Sequence, residues 1–329
     1  MKKIVELPLA EPVYSTYHHH GACSAATAKN TTIQNWFFNE VMILRCTRKF
    51  LSGYTTPELL IAQSSWFDCP HFDKRWFPTD LMGGYIHPVM RNLIDAGFYV
   101  CFSGVDDYYV EGKTWYKERH FAHDGLICGY NQQDKTYCLY AYDSNWIYSK
   151  FWTPQKGFEL GRRAMGKKGR YDTFCAIRPK MNIVEFSHET ALKKIEEYLD
   201  SDFEKYPETD EGYVYGIVVH DYIVKYIDKL LDGSIPYEKM DRRIFRLIWE
   251  HKKVMLERIQ RIENSLHMDE SISKRYKKVV SDADSIRMMY ASHFMKRRDS
   301  ILPVISRKLI ALKIDEEKLL KELLEKQKG

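Results

Sequence analysis

The chain has 329 residues, 44% hydrophobic and 29% charged, with 50 lysines and arginines against 45 aspartates and glutamates. That balance excludes a disordered or low-complexity chain, and a formal net charge of +5 is too mild to require a nucleic-acid partner. No stretch approaches the ~18 consecutive apolar residues of a membrane span, and the N-terminal run Met1-Lys2-Lys3-Ile4-Val5-Glu6-Leu7-Pro8-Leu9 is too interrupted for a signal peptide.

In chain order, small residues around Cys23 lead into a first helix expected over 23–45. Pro57-Glu58-Leu59-Leu60-Ile61-Ala62 predicts a second, with proline at the helix start where its missing N–H costs little. A third runs from His87-Pro88 to Leu93-Ile94 and stops near Ala96-Gly97, before the strand Phe98-Tyr99-Val100-Cys101-Phe102. Leu126-Ile127-Cys128-Gly129-Tyr130 turns at Asn131-Gln132-Gln133-Asp134 and returns as Thr136 to Tyr142, a hairpin. Thr173 to Ile177 is a further strand ending before Pro179.

After residue 185 the texture is helical. Ser187 precedes a run with Leu192, Ile195 and Leu199 on one face, and Gly212 to Leu231 is expected as a second helix with Gly233 as its stop. Long amphipathic stretches follow over 237–265 and 270–295, Pro303 breaks or starts the next, and 316–328 closes the chain. The expected fold class is α+β: a domain over 1–182 with an antiparallel sheet, then an all-α helical region over 183–329.

All seven cysteines lie in the first 175 residues; the count is odd and no CxxC pair occurs, which suits reduced thiols in the cytoplasm. The basic run from Arg162 to Arg170 is a solvated loop or a docking patch for an anionic partner. No phosphate loop and no GxSxG elbow is present, so neither nucleotide use nor a serine nucleophile is expected.

The chemistry centres on Cys23. A nucleophilic cysteine needs its thiolate, which partial positive charge at a helix start favours. It also needs a base, and that base needs an orienting group. His123 heads one strand of the predicted hairpin and Asp143 ends the other, so the open ends of the hairpin bring them together. Cys23, His123 and Asp143 are therefore the candidate catalytic residues. His120 is an alternative base and Asn145 an alternative orienter. His18-His19-His20 with Cys23, or His120 with His123, are metal-ligand alternatives, though neither has the spacing of a structural zinc site. The histidine run can instead line a cleft, with His20 or a neighbour near an oxyanion.

The His-rich, small-residue lead into Cys23, the His123-x5-Gly129-Tyr130 strand and the Tyr142-Asp143 strand end resemble the papain-like and C39-peptidase-like cysteine enzymes. With Gly212-Tyr213-Val214-Tyr215-Gly216-Ile217 in the helical half, the chain is similar to the butirosin-biosynthesis acyltransferase family. That resemblance implies an ATP-independent acyltransferase of antibiotic biosynthesis, with no cofactor of its own. Its acyl donor would be a thioester on a phosphopantetheine-bearing acyl or peptidyl carrier protein, and its acceptor a small-molecule amine. Cys23 would carry the acyl group, His123 would be the base and Asp143 its orienter. Tyr17 stands where papain-like enzymes have an oxyanion-hole glutamine, six residues before the cysteine, so another donor must serve there. A peptidase or amidase with the same residues, and a non-enzymatic binding protein, are the rival readings.

Overall fold

The computed structural model describes residues 3–27, 30–47, 58–61, 69–166, 173–201 and 212–327. They form an α+β chain with an antiparallel sheet and C-terminal helices, divided into two compact units: Met1–Ile33 with Trp66–Ile183, and Gln34–Ser65 with Val184–Gly329. The chain passes between them at 33/34, 65/66 and 183/184, where the sequence suggests a single division at 182/183. Residues 34–65, expected in the first domain, belong to the second unit instead.

The first unit is a seven-stranded sheet. In chain order it uses β1 (Ile4–Glu6), α1 (His18–Ala26), β4 (Phe72–Pro78), α3 (Ile86–Asp95), β5 (Tyr99–Asp106), β6 (Ala122–Asn131), β7 (Thr136–Tyr142), β8 (Tyr148–Pro154), α4 (Gln155–Gly166) and β9 (Thr173–Pro179). Strand order is β4-β9-β5-β6-β7-β8, with β1 pairing on β6, and every pairing is antiparallel. Successive side chains of a strand face opposite sides of the sheet. Val100, Phe102, Ile127, Leu139, Phe174 and Ala176 join the core that also takes Ile86, Met90 and Ile94 of α3 and Phe158 of α4. Their neighbours Cys101, Cys128, Cys138 and Cys175 alternate with them, and α1 packs on β5, β6, β7 and β9.

The second unit holds β2 (Val41–Thr47) and β3 (Glu58–Ile61) after the part of α2 (Thr31–Glu40) that begins at Gln34. Beyond residue 184 come α5 (His188–Asp200), β10 (Tyr213–Tyr215), α6 (Val219–Leu231), α7 (Ile244–Ser265), α8 (Ser271–Lys296) and α9 (Leu302–Lys326). Ser187 caps α5 by accepting from the Thr190 N–H, as its position before the periodic run implies. The unit is not all-α, because β10, β2 and β3 form a three-stranded antiparallel sheet. Three expected helices change accordingly. The run expected over 23–45 breaks into α1, α2 and the strand Val41-Met42-Ile43-Leu44, where branched apolar residues favour a pleated, buried surface. Leu59-Leu60-Ile61 is strand, too short an apolar run for its period to decide; Pro57 and Ala62 lie outside the described residues. The segment from Gly212 opens as β10. Gly216 then turns it at φ +69 into α6, where any Cβ would collide with the Tyr198 carbonyl. The stretches expected to part near Pro303 and Glu316 are one helix, α9, with the proline in its first turn.

Candidate active site

A β-bulge sets the geometry. Between Phe102 and Val105 the β5–β6 register shifts, with Gly104 at φ +66, and Val105 then pairs with His123. Beyond the strand end the chain closes a 3₁₀ turn over Asp107–Tyr109, capped by the Asp106 carboxylate, which accepts from the Tyr108 and Phe121 N–H groups. This turn brings two consecutive acids against two histidines. Asp106 Oδ2 meets His120 Nδ1 at 2.8 Å, and Asp107 Oδ2 meets His123 Nδ1 at 2.5 Å.

The two pairs differ in setting. His120 is 59% exposed and stacks on Tyr108 at 4.3 Å. The His123 side chain is 19% exposed, and its carboxylate partner is fully buried. Phe121 packs edge-on against the His123 ring at 4.6 Å, and His18 lies 5.0 Å away on another side. Lys113, itself buried, approaches Asp107 Oδ1 at 3.4 Å; burial lowers its pKa and the nearby carboxylates only partly offset that.

Asp143 is not bonded to His123. Its carboxylate organises the β7–β8 turn, accepting from the Asn145 and Ile147 N–H groups and the Ser149 hydroxyl. Asn145 lies exposed in that turn. The hairpin is β6 and β7, but the acid that reaches Nδ1 follows the end of β5. Its sequence signal was modest: an acid pair, Asp106-Asp107, closing a strand ahead of the histidines.

Cys23 is also placed differently from expectation. α1 begins at His18 after Tyr17 at its N-cap, so Cys23 is the sixth helical residue, about 7.5 Å along the axis from His18. The positive end of the helix therefore falls at His18, the residue against His123. Cys23 is fully buried beside Cys101. The neighbouring Cys23 thiol, with burial, raises the Cys101 pKa well above the usual thiol range; burial pushes Cys69 and Cys175 up to about 12. Cys101 and Cys175 are direct cross-strand partners.

A cleft of about 160 Å³ opens beside these groups, lined among others by His18, Ala22, Cys101, Asp124, Cys175 and Trp76. His20 is buried between Tyr14 and Tyr17 and does not line the cleft, and the His19 side chain lies outside the described residues. Among the described residues, no three His, Cys, Asp or Glu side chains converge as a metal-ligand set. No helix among them is long and apolar enough to cross a membrane. Of the basic run, Arg162 is buried, bonded to Glu159 and the Thr79 carbonyl, and residues 167–170 lie outside the described residues.

No family model matches this chain, and no curated protein matches it in sequence.

Proposed function

We propose that the chain is a papain-like cysteine acyltransferase that forms amides in natural-product biosynthesis, taking its acyl group from a carrier-protein thioester. The observation that carries this reading is the His123 Nδ1–Asp107 Oδ2 hydrogen bond beside the helix that bears Cys23. With Nδ1 committed to the carboxylate, Nε2 is the atom left to move a proton, which is the division of labour a cysteine–histidine pair requires. Asp107 takes the orienting role that the sequence alone had suggested for Asp143.

The chemistry has two halves. The Cys23 thiolate attacks the donor's thioester carbonyl, the C–S bond to the carrier breaks, and the carrier thiol leaves with a proton from His123. An amine then attacks the S-acyl carbonyl, a C–N bond forms, and Cys23 is released. A thioester is already activated, so no nucleotide is consumed. Cys101, whose raised pKa keeps its thiol protonated, neighbours Cys23 and can stabilise the thiolate in each half. The donor enters along the wall formed by Ala22 and Cys101, and its binding must open that wall to reach Cys23. The assembly of the antibiotic closthioamide is one setting that suits an enzyme of this class.

The complete burial of Cys23 favours a second reading, a binding protein in which the thiols are structural. Mass spectrometry after incubation with an acyl N-acetylcysteamine thioester separates the two. A Cys23-linked adduct discharged by an added amine supports the transferase, and discharge by water alone points to a hydrolase. No adduct on wild-type protein overturns both enzymatic readings.

A further inference from the structure

From the cleft we infer that Asp124 is the specificity-determining residue for the acceptor, holding a substrate ammonium group; this rests on the acyltransferase reading. Among the described residues lining the cleft, Asp124 is the one aspartate or glutamate, and neither lysine nor arginine lines it. The carboxylate is fixed in place: Oδ1 accepts from the Ser103 hydroxyl at 2.8 Å and the Gly104 N–H at 2.9 Å, both supplied by the bulge. Oδ2 receives no hydrogen bond among the described residues. Lys113, the nearest buried cation, bonds the Asp124 backbone carbonyl and pairs with Asp107. Trp76, 60% exposed, adds an indole to the same cleft, and an aromatic face beside a carboxylate suits an alkylammonium ion.

The acceptor therefore arrives as R–NH3⁺. It loses one proton to solvent as it leaves Asp124 and attacks as R–NH2. The C–N bond forms, the C–S bond breaks, and the second proton passes through His123 to the Cys23 sulfur. The sum is acyl–S–enzyme plus R–NH3⁺ giving acyl–NH–R, enzyme–SH and H⁺.

The test uses Asp124→Asn, whose amide oxygen can still accept from Ser103 and Gly104. S-acylated wild type and variant are discharged with n-butylamine and, separately, with hydroxylamine, which is uncharged at neutral pH. The expected result is a half-saturating butylamine concentration raised about tenfold, the factor that ~1.4 kcal/mol represents. Acylation and hydroxylamine discharge should be unchanged. An unchanged butylamine dependence, or an equal loss with both nucleophiles, overturns the assignment. Binding of n-butylammonium to unacylated Cys23→Ala protein, followed by ligand-observed NMR with 1-butanol as the neutral control, gives an arm independent of turnover. If wild type never acylates, the transferase reading fails, while Asp124-dependent butylammonium binding would still uphold the site. Binding indifferent to Asp124 sinks it.

Discussion

His123 Nδ1 and Asp107 Oδ2 lie 2.5 Å apart, although the acid is fully buried in a 3₁₀ turn and the histidine lies on the next strand. Holding an imidazole through Nδ1 fixes its ring and its tautomer together. Asp107→Asn should therefore lower the rate of acyl transfer by roughly 10²–10⁴, the range for losing an orienting acid. Asp143→Asn should leave that rate within about threefold and instead cost about 1 kcal/mol through weakened turn hydrogen bonds. Equal kinetic losses in the two variants would refute the assignment of the orienter to Asp107.

The support beneath Asp107 is backbone packed on backbone. α4 lies against the strand end that leads into the turn, where a Cβ on Gly161 would stand 2.7 Å from the Asp106 carbonyl oxygen. Neither group is a flexible side chain that can swing away. Gly161→Ala is expected to cost about 1–3 kcal/mol, measurable by urea denaturation, and to reduce activity along with stability. A neutral effect would mean that α4 does not hold the turn.

Thiol chemistry offers a simpler check. Cys69 and Cys175 have pKa values raised by burial, Cys101 by the neighbouring Cys23 thiol and burial, and Cys128, whose Sγ bonds the Cys138 carbonyl at 3.4 Å, by its contact with Cys138 and burial. The native protein at pH 8 should therefore give little iodoacetamide labelling at these four positions. Cys23, no more exposed than they are, should be equally slow to label in the free protein, yet take the acyl group of a thioester donor that opens its cover. Acylation of Cys101 in place of Cys23 would move the nucleophile from α1 to β5.

The helical unit predicts its own pH dependence. His220 and His251 are buried, and burial, followed by the Lys252 charge, lowers both pKa values well below 6.5. Their other close partners are the Ile217 and Met42 carbonyls and, for His220, Glu316 at 3.9 Å. Above pH 6.5 both folded and unfolded chains keep these rings neutral. Below it the unfolded chain binds protons that the folded one cannot, so stability falls with pH by up to about 1.4 kcal/mol per pH unit per histidine. Denaturation at pH 7 and pH 5 should show this loss, and His251→Gln should reduce it.

In the same unit Lys252 donates to Glu316 at 2.7 Å with neither group exposed, and Tyr198 and Tyr276 also donate to that carboxylate. Lys252→Met should cost about 3–5 kcal/mol by leaving a buried acid without its cation. Lys252→Met combined with Glu316→Leu should recover much of that loss. A double variant no more stable than the single one would show that the tyrosines alone satisfy Glu316.

The chain's periodicities determined its local structure where a segment's own residues decide it. The apolar run from Thr136 to Tyr142 after its turn is a strand, Ser187 caps the helix it precedes, and Gly97 follows a helix's end. Short apolar runs such as Leu59-Leu60-Ile61 and Val41 to Leu44 took their state from pairing with each other, which no local pattern records. The site divides in the same way. His123 and Cys23 were legible as residue types in suggestive neighbourhoods. The partner of His123 was decided by the bulge at Gly104 and the turn after β5, which carry Asp107 to Nδ1 and leave Asp143 to its own turn. Likewise the helix starts five residues before Cys23, so its positive end falls on His18 and the thiol lies among Cys101 and Cys175. A hydrogen bond between residues sixteen positions apart depends on the path of the backbone between them, and only the folded sheet sets that path.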